Sequence, residues 1–124
     1  MKITIYTLIM TMGLVSNASS LDCSARKFDY QTTQVQEEKI KISAIKNNSE
    51  YGELLIGEFK FYVFRVIGTD NTYLDISRLI DINDKLLPYK GLSSSSAYGI
   101  KKGQKINLET ATDLSDLQIN CVVK

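Results

Sequence analysis

Phe59-Lys60-Phe61-Tyr62-Val63-Phe64-Arg65-Val66-Ile67 crowds aromatic and β-branched side chains onto both sides of an extended chain. These residue types fit a pleated, half-buried surface. Side chains alternate with period two along a strand, so Phe59, Phe61 and Val63 fall on one face and Lys60, Tyr62, Phe64 and Val66 on the other. The stretch therefore predicts a strand in the middle of a sheet, or one whose second face meets a partner. If a single face is core, Tyr62 and Phe64 stay outside as a candidate contact surface. The competing reading buries both faces, between sheets or under a helix.

Working outward, Gly68-Thr69-Asp70-Asn71 predicts a hairpin loop into a strand over Thr72-Tyr73-Leu74-Asp75-Ile76. Upstream, residues 28–32 and 39–44 alternate as half-buried strands, and Asn47-Asn48-Ser49-Glu50-Tyr51-Gly52 supplies turn chemistry. Downstream, Leu79, Ile80, Asn83, Leu86 and Leu87 approach helical spacing, which predicts a short helix over 77–87 ended by Pro88, the single proline. The serine-rich stretch 91–99 predicts the longest and most mobile loop. Tyr89 and Tyr98 bracket it; they can stack on a sugar ring, anchor a protein partner, or simply pin the loop ends. Two more strands follow over 105–109 and 117–123, the last with Leu117, Ile119, Cys121 and Val123 on one face. About six short strands and at most one short helix predict a mainly all-β fold, a small β-sandwich, with an OB-like five-stranded barrel as the alternative.

The beginning of the chain is of another kind. Lys2, an apolar run from Ile3 to Val15 and the small polar residues Ser16 to Ser20 have the three-part build of a secretory signal peptide. The apolar run is shorter than the roughly 18 residues a membrane-spanning helix needs. We therefore expect a signal peptide over 1–20, cut before Ser19 or Leu21, and a single domain over 21–124 with no membrane insertion after cleavage. Asp22 directly before Cys23 does not fit the small residue that lipoprotein processing requires.

Export places Cys23 and Cys121, the two cysteines of the chain, where thiols oxidise. A disulfide between them joins the first and last segments of the domain. In the chain-entropy model, closing a loop of about 100 residues contributes at most about 4.7 kcal/mol. A small domain that buries only some 60 to 70% of its unfolded surface benefits from such a link.

Charge and composition exclude several functions. Lys and Arg number 15 against 14 Asp and Glu, and loss of Lys2 with the leader makes the two signs equal. A neutral domain has no long-range field to draw nucleic acid or anionic lipid. Lys101, Lys102 and Lys105 cluster around Gly103, as solvated turn lysines commonly do. Histidine is absent, which removes the commonest general base and metal ligand. Gly91-Leu92-Ser93-Ser94-Ser95 lacks the closing glycine of a nucleophile elbow, and Asp81-Ile82-Asn83-Asp84 meets Lys85 where a calcium loop needs oxygen. Nothing in the spacing of Glu53, Glu58, Asp75 and Asp81 selects a catalytic pair.

Asp22-Cys23 after a leader, followed by β-rich sequence with one short helix, resembles the layout of the cell-binding B subunits of bacterial toxins with an OB fold. That resemblance implies an oligomeric glycan-binding subunit, although no glycan-binding motif matches residue by residue. The sequence as a whole predicts an exported, periplasmic or secreted, non-enzymatic binding protein without cofactor or metal. Protein–protein contact is its expected mode, with a glycan as the alternative ligand.

Overall fold

The computed structural model describes residues 21–45, 48–79, 81–82, 85–86 and 90–124. The leader expected over 1–20 and Tyr89 lie outside these residues. Among the described residues, eleven strands run in chain order as β1 (Leu21–Asp29), β2 (Val35–Ile40), β3 (Ser43–Ile45), β4 (Ser49–Ile56), β5 (Phe59–Val66), β6 (Asn71–Arg78), β7 (Asp81–Ile82), β8 (Lys85–Leu86), β9 (Lys90–Ala97), β10 (Lys105–Ala111) and β11 (Ser115–Val123). They form an antiparallel four-stranded sheet in the order β10-β11-β1-β2, a five-stranded sheet β3-β4-β5-β6-β9 and the small pair β7-β8. The two larger sheets enclose one core, so the fold is the small all-β sandwich expected, not a five-stranded barrel. Ile67–Thr69 forms a 3-10 turn between β5 and β6, in the place predicted for a hairpin loop.

The opening stretch is the middle strand of the five-stranded sheet. Phe59, Phe61 and Val63 of β5 are buried against Leu74 and Ile76 of β6 and against Leu21, Ala25, Leu117 and Ile119 of the facing sheet. Lys60, Tyr62, Phe64 and Val66 point the other way and are half-buried. The β4–β5 connection is Gly57-Glu58, with positive φ at Gly57 alone. That is the pattern of a type II′ turn, whose twist matches that of the strands it joins.

Several expectations change. Residues 49–52 belong to β4, so the predicted turn does not extend over them; Asn48, directly before the strand, is left-handed. The strand read over 39–44 is broken at Lys41 and Ile42, where the chain leaves the four-stranded sheet as β2 and enters the five-stranded sheet as β3. The helix over 77–87 is overturned wherever the chain is described. Ser77 and Arg78 end β6, and Asp81 and Ile82 pair with Leu86 and Lys85. The serine-rich stretch is not a loop either: Lys90–Ala97 is β9, an edge strand paired along β6.

Cys23 and Cys121 are bonded and face one another directly in the β1–β11 register, with Cα atoms 4.1 Å apart. Both side chains are buried beside Ile119 and Val123, as the alternation in the last strand predicts. The bridge thus lies within one sheet, tying the first strand to the last. Among the described residues no helix is long and apolar enough to cross a membrane.

Candidate functional site

Register across the five-stranded sheet assembles its outward face row by row. One row is Ser43, Tyr51, Phe64, Tyr73 and Ser96; the next is Glu53, Tyr62, Asp75 and Ser94. Tyr62 therefore sits diagonally between Tyr51 and Tyr73, within reach for long aromatic side chains. Its ring centroid lies 6.4 Å from that of Tyr51, tilted by 38°, and 6.3 Å from that of Tyr73, edge-on at 64°. Tyr51 is 38% exposed, Tyr73 37%, and Leu55, which continues the face along β4, 56%. Four aromatic side chains are thus gathered on the side of the sheet away from the core.

Acidic groups frame this cluster. Glu53 lies 3.7 Å from the Lys60 ammonium, and Asp75 accepts a hydrogen bond from the Tyr73 hydroxyl at 3.3 Å. Among the described residues Asp75 has no ion pair. Burial, with Glu53, Tyr51, Tyr73 and Asp75 around the ring, raises the Tyr62 phenol above its ordinary 10.0. Desolvation and nearby negative charge both disfavour the phenolate.

The structure brings Tyr62 and Phe64 together on the face that the alternation predicts, and it adds Tyr51 and Tyr73. Tyr73 was accessible to sequence reasoning, because placing Leu74 and Ile76 inward sends Tyr73 and Asp75 outward. Tyr51 was hidden by the turn reading of 47–52. Tyr98 is 73% exposed and follows the last paired residue of β9, outside the ring contacts that join the other tyrosines. The predicted bracket of Tyr89 and Tyr98 has only its second member among the described residues.

The other large surface differs in character. The four-stranded sheet turns Asp22, Ser24, Lys39, Asn107 and Asn120 outward along a groove of about 530 Å³. Lys39 and Asp22 form an exposed ion pair at 2.6 Å, and this holds the Asp22 carboxyl below its usual range. At one end of the sandwich, Lys27 and Arg78 lie 5.6 and 5.8 Å from the Phe59 ring, with Glu58 paired to Arg78. At the other end Arg65, with a side chain only 3% exposed, donates to Thr72, Asp70 and the Ile100 carbonyl. Glu50 stands across the strand pair from it. These contacts fasten the β5–β6 turn and the segment after β9 to the sandwich.

Among the described residues, no three of His, Cys, Asp and Glu converge as metal ligands. The fold and its site define an antiparallel β-sandwich, closed by a cross-strand disulfide, with one polar outer face and one aromatic one. Comparison with protein-family models, curated proteins and solved structures returned no match.

Proposed function

We propose that this chain is an exported, non-enzymatic binding protein that engages a protein partner through the outward face of its five-stranded sheet. In this reading residues 1–20 are a cleaved leader, 21–124 are one domain, and the protein works in the periplasm or outside the cell as an inhibitor, immunity, chaperone-like or assembly factor. The observation that carries the reading is the cluster of Tyr51, Tyr62, Phe64 and Tyr73 on the side opposite the core. Aromatic rings on a surface expose apolar area that water disfavours, and they are enriched at the centres of protein interfaces. The mutual tilt of the rings favours a protein over a glycan, because sugars stack on open ring faces whereas Tyr62 meets Tyr73 edge-on. The Cys23–Cys121 bond supports an oxidising compartment.

The test retrieves partners from the periplasm and medium of the producing cells with three baits: the native protein, Tyr51→Ser/Tyr73→Ser, and the opposite-face control Asn107→Ser/Asn120→Ser. One protein in stoichiometric amount with the native and control baits, lost with the tyrosine variant, is the expected result. Equal recovery by all three would overturn the reading, as would glycan-array binding that depends on the same tyrosines. A light-scattering mass of a self-associated native protein, reduced to a monomer by the tyrosine variant, would assign the face to a second copy and also overturn it.

A further inference from the structure

We infer that the partner presents arginine side chains to the Glu53–Tyr62–Asp75 row, a conclusion that rests on the binding surface proposed above. Three observations converge. Two carboxylates flank Tyr62 in one row of the sheet, with the Lys60 ammonium beside Glu53. Asp75 takes a neutral hydrogen bond from Tyr73 and no ion pair among the described residues. Tyr51 and Tyr73 are more than one-third exposed on either side of Tyr62, so ring surface and carboxylate oxygen are offered together. A guanidinium can lie against an aromatic ring while its N–H groups donate in a planar fork to a carboxylate. An ammonium satisfies the charge without the planar match, and an anionic or purely apolar segment would desolvate the Asp75 carboxylate with only the neutral Tyr73 hydroxyl to offset it. The sheet therefore selects a partner by charge as well as by apolar contact.

The experiment titrates the ¹⁵N-labelled protein with three synthetic hexapeptides in which glycine alternates with arginine, lysine or glutamate. The expected result is amide shifts centred on Tyr62 and Asp75, with affinity in the order arginine, lysine, glutamate. Asp75→Asn should weaken the arginine peptide about tenfold, while Glu109→Gln on the other sheet changes nothing. Shifts centred on the four-stranded sheet, or equal affinity of Asp75→Asn and native protein, would overturn the inference. The same variant separates the two claims in partner retrieval. A partner kept by Asp75→Asn but lost by Tyr51→Ser/Tyr73→Ser refutes the arginine inference and leaves the surface standing; a partner kept by both refutes the surface.

Discussion

A methyl group on Gly52 would stand 2.5 Å from the Lys41 carbonyl oxygen and within 3 Å of Ile40 and Ile42 side-chain atoms. This is the point where the chain steps from one sheet to the other, and β4 can pass beneath only because its residue there has no side chain. Gly52→Ala should therefore cost about 1–3 kcal/mol through overpacking. Gly91→Ala, which meets nothing within 4 Å, should change stability by less than about 0.5 kcal/mol; urea denaturation of the two variants checks the contrast. Tyr62 makes a second prediction at this scale. Its phenol binds its proton more tightly in the folded than in the unfolded chain, so its contribution is complete below the ordinary value of 10.0 and is lost as pH rises through the higher folded value. Tyr30 acts in the same direction through its hydrogen bond to Asp116. Tyr62→Phe should flatten part of the alkaline loss of stability, read by denaturation at about pH 8 and pH 11, and leave the neutral-pH behaviour of the fold intact.

Strands differ in how openly their residues declare them. In β11 apolar and polar residues alternate, and the period of two could be read directly; in β5 aromatic and β-branched residues crowd both faces, which marks a strand without singling out its buried side. In β9 serines occupy both faces: Ser93 and Ser95 are half-buried, Ser94 and Ser96 exposed. No polarity contrast reveals the period, so the stretch reads as a loop although its backbone pairs with β6 from Thr72 to Arg78. Likewise the near-helical spacing read over 77–87 falls, where the chain is described, on the end of β6 and on the paired residues of β7 and β8. For β9 the pairing predicts that alternate amides between 91 and 97 exchange slowly with solvent deuterium. A mobile serine loop would leave all of them unprotected, and amide exchange followed by NMR distinguishes the cases.

Across the whole molecule, sandwich class, disulfide and inward face of the last strand were legible because each follows from local alternation or from two cysteines with one pairing. Topology was not, because it depends on register between strands; Tyr51 was hidden by the turn reading, and Tyr73, outward by alternation, meets Phe64 only once β5 and β6 are aligned. The β1–β11 pairing is the longest-range contact between strands, and the bond between residues 98 positions apart reinforces it. Cys23→Ala/Cys121→Ala should lower stability by about 2–5 kcal/mol, measured by thermal and urea unfolding; an unchanged midpoint would show that the sheets hold the ends together unaided. What the sandwich leaves open is its aromatic side, and the proposed function stands or falls with that face. The most direct test places a benzophenone amino acid at position 73 or at position 107 in the producing cells and irradiates them. A discrete heterologous protein adduct from position 73 and none from 107 is the predicted result; equal adducts from both positions, or none from 73, would contradict it.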